Sequence, residues 1–128
     1  MADFDEAFEK VVFHEGGYVN DKDDAGGETY MGISRKAHPN SLIWHIIDEV
    51  KAKCKKVSDI NKELKKNSEL TALIKAIYKS DYWNPFNLGK EHSQRLANQI
   101  FDNAVNRGVS ATKLLLRRIK NEMEMFSK

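Results

Sequence analysis

VFHEGGYVNDKDDAGGETYMGIS, residues 12–34, breaks a helical pattern with one glutamate, two glycines, an acidic run and two further glycines. Upstream, Phe4, Ala7, Phe8, Val11 and Val12 recur at the spacing of a single helix face. Asp3 is placed to cap that helix, with Glu6 three residues on as a variant of the capping box. Gly16-Gly17 stops it. Beyond the glycines, Tyr18, Val19, Thr29, Tyr30 and Ile33 surround a loop rich in Asn, Asp and Gly. This pattern predicts a short, irregular β-hairpin with a long connection.

The remainder reads as helix. Ser34 is expected to cap a short helix that Pro39 ends, and Ser41 to open a longer one with Ile43, Trp44, Ile46, Ile47 and Val50 on its apolar side. The Lys-rich stretch 51–67 reads as a solvated face with a short helix after Ser58. Ser68 is expected to cap a helix burying Leu70, Leu73, Ile74, Ile77 and Tyr78. Ser93 opens another, burying Leu96, Ala97, Ile100, Phe101, Ala104 and Val105, which Gly108 closes. A last amphipathic helix is expected from Ser110 through Leu114, Leu115, Ile119, Met123 and Phe126. The expected fold is mainly α, with a small irregular β-hairpin after the first helix.

With 128 residues, 41% hydrophobic and 31% charged, the chain fits one soluble domain. Its net charge of +2 is too weak to argue for a nucleic-acid partner. No apolar run approaches the roughly 18 residues of a membrane span, so no stable membrane insertion is expected. The acidic N-terminus MADFDEAFEK does not read as a signal peptide. Cys54 is the only cysteine, which excludes an internal disulfide and a thiolate cluster. His14, His38, His45 and His92 form no pair at helical spacing, and no metal or cofactor is expected. Asp21-x-Asp23-x-x-Gly26 begins like an EF-hand loop, but Ala25 and Gly32 stand where ligands belong.

Glu15 follows Phe4, Phe8 and Val11 at helical steps, so it falls on the face that must be buried. Burial and the negative end of a helix dipole both disfavour the charged carboxylate. A carboxyl group kept protonated is what a general acid requires. Position alone leaves this reading level with a glutamate turned out to solvent. Downstream, Tyr82 and Trp83 in AIYKSDYWNP offer amphipathic rings suited to sugar faces, although Tyr78 and Trp83 equally suit a core. Asp102 and Asn106 share a face at i, i+4; Asp102 is either a structural partner or a cleft residue.

Four ordered blocks carry a family resemblance: EGGYVND (15–21), the pattern Asp24, Gly26, Gly27, Thr29, Gly32 and Ile33, AIYKSDYW (76–83) and FDNAVNRG (101–108). Together they resemble glycoside hydrolase family 108, N-acetylmuramidases of the lysozyme-like superfamily. The resemblance implies cleavage of the β-1,4 bond between N-acetylmuramic acid and N-acetylglucosamine in peptidoglycan glycan strands. It maps the catalytic glutamate onto Glu15, and the order Glu15, Asp24, Thr29 is similar to that of phage-type lysozymes. Thr29 follows Asp24 one residue sooner than in those enzymes, and Glu28 stands where the family usually has a small residue. Tyr30, Tyr82, Trp83, Asp102 and Asn106 are the implied substrate-binding residues.

On this reading residues 1–110 form the catalytic domain and 111–128 a C-terminal helix, without the peptidoglycan-binding domain that commonly follows. Other outcomes within the same reading are a lytic transglycosylase and a non-catalytic peptidoglycan-binding or regulatory module. The substrate lies outside the inner membrane. Synthesis in the bacterial cytoplasm and holin-assisted release from a phage or prophage, with action in the periplasm or wall, would reconcile that with the absence of a leader.

Overall fold

The computed structural model describes residues 1–12, 16–21, 23 and 27–126. The chain is mainly helical. Along it run α1 (Phe4–Val11), β1 (Tyr18–Asn20), β2 (Glu28–Tyr30), β3 (Ile33–Ser34), α2 (Ile43–Lys53), α3 (Val57–Lys66), α4 (Ser68–Tyr78), α5 (Gln94–Arg107) and α6 (Val109–Phe126). Between α4 and α5 lie a π-helical turn at Lys79–Trp83 and two 3-10 turns, Asn84–Phe86 and Leu88–Lys90. Two compact units divide the chain: Val12–Ile77, and Met1–Val11 with Tyr78–Lys128.

In the unit Val12–Ile77, the β element has three antiparallel strands in the order β1-β2-β3 rather than a lone hairpin. Tyr30 pairs with Ile33 across Met31-Gly32, whose φ angles of 47° and 81° are the two positive values of a tight I′-type turn. That turn is why Ser34 closes a strand and starts no helix. Its Oγ instead accepts from the Lys36 and Ala37 amides at 3.1 and 3.4 Å, a hydroxyl-stabilised turn. Ile43, Trp44 and Ile47 of α2 are buried. The Lys-rich stretch is more than a solvated face, since α3 buries Ile60 and Leu64 one helical turn apart.

The cap of α4 is Asn67, not Ser68. Asn67 Oδ1 accepts from the Leu70 amide at 2.9 Å, and its carbonyl accepts from Thr71 N. In the other unit, Asp3 caps α1 through the Asp5 amide at 2.9 Å. Glu6 does not complete a capping box. Gln94 of α5 takes the Asp3 N–H at 2.6 Å and donates to the Asp3 carbonyl at 3.0 Å, while Glu6 faces Lys10. Ser93 caps α5 as expected, accepting from Leu96 N, and Gly108 ends it at φ 92°.

Phe4, Phe8, Tyr78, Trp83 and Phe101 form one aromatic cluster with neighbouring centroids 5.4–6.4 Å apart, mostly edge to face. One expectation about an apolar face fails here. Leu96 is exposed, and on α6 Leu114, Leu115, Ile119, Met123 and Phe126 are exposed as well. Helix α6 begins at Val109, ahead of Ser110, and meets α5 through its first turn. There the buried Thr112 shares its hydroxyl proton between Gly108 O and Asn103 Oδ1, each at 2.8 Å. The α6 stripe then runs past the end of that contact.

The capping assignment is testable. Asn67→Ala should cost about 1 kcal/mol in chemical denaturation, whereas Ser68→Ala should stay within about 0.5 kcal/mol of wild type. Equal costs would contradict the observed cap.

Candidate active site

Glu15 and Asp24 lie outside the described residues. Helix α1 ends at Val11 and Val12 is in a turn, short of the helix expected to run to Gly16, so the helical spacing read through Phe4, Phe8 and Val11 stops before Glu15. The chain re-emerges at Gly16-Gly17, and here the structure explains both glycines of the EGG motif. Gly16 has φ 87°, a left-handed conformation that favours glycine. Gly17 serves a different purpose, close approach: a β-carbon there would sit 2.3 Å from Asn61 Oδ1, so the Asn61 side chain would have to turn away. That oxygen accepts the Tyr18 N–H at 2.8 Å, so α3 grips the backbone two residues after Gly16. Sequence reading missed Asn61 because it stands 43 residues away in a lysine-rich stretch.

The sheet then sorts its side chains by alternation. Tyr18 lies opposite Tyr30, and Val19 opposite Thr29, which is itself opposite Ser34. Glu28 and Tyr30 therefore share one face of β2 and Thr29 takes the other. Thr29 is half-buried beside the exposed Val19. Tyr30 is only 3% exposed; its ring is core, and burial raises its phenol pKa.

Glu28 is the centre of a charged network. One carboxylate oxygen accepts from the Tyr18 hydroxyl and from Lys51 Nζ at 2.7 Å; the other accepts from Arg35 at 2.9 Å. Arg35 also makes a two-pronged bond to Asp48, both arms at 2.8 Å, and its guanidinium lies 5.3 Å from the Trp44 ring. Lys51 stands over the Tyr18 ring. Burial of Glu28 by itself would raise its pKa, but Lys51, Tyr18 and Arg35 outweigh it and bring the carboxyl down to about 2. Burial and Glu28 raise the Tyr18 phenol, which keeps it a donor. Arg35 lowers Asp48 in the same way. Glu28 is thus a permanent anion and a poor proton donor at neutral pH.

In the other unit, Tyr82 is half-buried against Tyr78, with ring centroids 5.6 Å apart, and burial followed by Asp81 raises its phenol. Trp83 is 2% exposed, edge-on to Phe4 and Phe101. Its face is covered, whereas the Tyr82 ring is the more accessible of the two. Asp102 and Asn106 are exposed, and Asn106 donates to both the carboxylate and the carbonyl of Asp102 at 2.8 Å. Among the described residues no group of three side chains is placed to hold a metal, and Asp21 accepts only a local bond from the Asp23 amide.

Residues 8–108 match the family described as glycosyl hydrolase 108, so the chain belongs to that family. It is a glycoside hydrolase, and family membership makes peptidoglycan the substrate class. No curated protein and no solved structure matches it. No helix among the described residues is long and apolar enough to cross a membrane.

Two outcomes follow from this geometry. Gly17→Ala should destabilise the protein by about 1 kcal/mol, because Asn61 must turn away and release the Tyr18 N–H. Asn61→Ala should recover part of that loss in the double variant, read as a non-additive cycle in denaturant. Strict additivity would refute the contact. The second outcome concerns pH. Glu28 has a folded pKa near 2 against an ordinary 4.5, so its contribution is complete above about 4.5 and disappears as pH falls towards 2. Glu28→Gln should lower the melting temperature at pH 7 and flatten the decline across that acid window; a parallel decline in both proteins would oppose it.

Proposed function

We propose that the chain is a lysozyme-type N-acetylmuramidase cleaving the β-1,4 bond between N-acetylmuramic acid and N-acetylglucosamine, with Glu15 as general acid. Glu15 protonates the glycosidic oxygen while the bond breaks through an oxocarbenium-like state. Asp24 stabilises that cation or orients water, and Thr29 assists the water. Tyr82 supplies the most accessible ring for a sugar, and Asp102 with Asn106 supplies polar groups on α5. Residues 1–110 act as the catalytic part, and action on the wall follows release from the cytoplasm.

The observation that carries this reading is the double glycine after Glu15. Gly16 turns through a positive φ and Gly17 admits Asn61 against the backbone, which ties the segment entering β1 to α3. A catalytic carboxyl needs positioning of this kind, because small displacements cost large factors in rate. The neighbouring Glu28 lends further support. Its carboxyl is held ionised near pKa 2, so it does not compete for the role of acid.

Purified cell walls give the test. Wild type should lower turbidity and release new reducing ends, and Glu15→Gln should reduce that rate by at least about 100-fold. Clearing by wild type without reducing ends, but with 1,6-anhydro products, would make the protein a lytic transglycosylase. Equal activity of the two proteins would remove Glu15 from the mechanism.

A further inference from the structure

Trp83 is almost wholly enclosed, yet its indole N–H has no hydrogen-bond partner among the described residues. Every fully enclosed side-chain polar atom described does have a partner, so this N–H must open onto space. It does so in a pocket of about 460 Å³ lying wholly within the unit that holds α1 and α5. Gly89 lines the same pocket, and the nearest atom to a β-carbon built on it is Trp83 Nε1, at 3.8 Å. The glycine therefore leaves the donor uncovered. The other tryptophan shows the alternative, since Trp44 Nε1 donates to the His38 carbonyl at 2.9 Å.

The rest of the lining says what kind of molecule would meet that donor. Asp3 and Asp5 at the start of α1 are balanced by Lys79 and Lys90, so the pocket carries no net charge. Such a balance favours neither a polyanion nor a polycation. Asn84 and Asn87 add amides that both donate and accept, and Asn87 is held in the left-handed region at φ 52°. A neutral ligand rich in hydroxyl and amide groups matches donors and acceptors arranged in this way, and the volume lies within the ordinary range for small-molecule sites.

We propose that this pocket is a second saccharide site, taking an N-acetylated amino sugar with Trp83 Nε1–H as a donor to a sugar oxygen. The choice of an amino sugar rests on the peptidoglycan reading above; the open donor and its balanced surroundings do not. Trp83 thereby serves recognition through its edge while its faces remain in the aromatic cluster. The site would hold the glycan by groups that take no part in the chemistry at Glu15.

The two indole N–H resonances of the 15N-labelled protein read the proposal directly, titrated with a β-1,4-linked N-acetylglucosamine oligomer. The Trp83 signal should shift saturably and the Trp44 signal should not. Gly89→Leu, which covers the donor, should abolish the shift while leaving the Trp44 signal in place. Asn87→Gly keeps the left-handed backbone without the amide and should weaken binding about fivefold; it serves if Gly89→Leu does not fold. A Trp83 signal that never moves, or variants that titrate like wild type, would overturn the site. Glu15→Gln should bind as wild type does, so lost turnover and lost binding are read separately. Binding without wall hydrolysis would sink the muramidase reading alone, and hydrolysis without binding would sink this site alone.

Discussion

The unit Val12–Ile77 is organised around one buried negative charge. The Glu28 side chain is 11% exposed, and a carboxylate so covered is costly unless donors surround it. Its donors come from β1 (Tyr18), from the turn after β3 (Arg35) and from α2 (Lys51), and Arg35 passes the connection on to Asp48. Three short strands could not hold themselves together in water. Charge burial makes the sheet and α2 mutually dependent. It also fixes register: a slip by one residue would turn Glu28 outward and Thr29 inward, leaving Arg35 and Lys51 without their anion.

Asn61 does for the backbone what Glu28 does for the side chains. A single amide oxygen satisfies the Tyr18 N–H and, by its closeness, leaves room for no side chain at position 17 while that bond is kept. The buried pair Ile60 and Leu64 explains why α3 is held firmly enough to do this. A lysine-rich surface and a buried brace thus coexist on one helix, with the lysines turned to solvent and Asn61 turned to the sheet.

This division also explains what could be read in advance. Apolar periodicity located α1, α2, α4 and α5, and local capping by Asp3 and Ser93 followed from sequence spacing. What periodicity could not supply were contacts between distant positions: Gln94 at the start of α1, Asn61 behind Gly17, and the partners of Glu28. The strand β3 was hidden because Met31 is an unusual residue for a positive φ, so Met31-Gly32 does not announce a tight turn. Helix α6 was legible as an amphipathic helix, but not its exposure. Its stripe is real, but amphipathicity says only that a face is apolar, not that the described chain covers it. Of the candidate site, the chain break at Gly16-Gly17 was legible, and the covering of Tyr30 and Trp83 was not.

Glu28 and Trp83 together refine what burial means for a functional residue. Burial is usually taken as the condition that keeps a carboxyl protonated, yet Glu28 is buried and far more acidic than a free side chain, because its donors are charged and close. The charge and closeness of the donors decide the outcome. Trp83 is the complementary case, a buried ring whose N–H opens onto space without an acceptor among the described residues. A general acid in this fold therefore needs enclosure without an Arg or Lys on its oxygens. Among carboxylates near the glycine-bracketed loop, Glu28 fails that condition through Arg35 and Lys51, and that failure is a physical reason to look for the acid at Glu15.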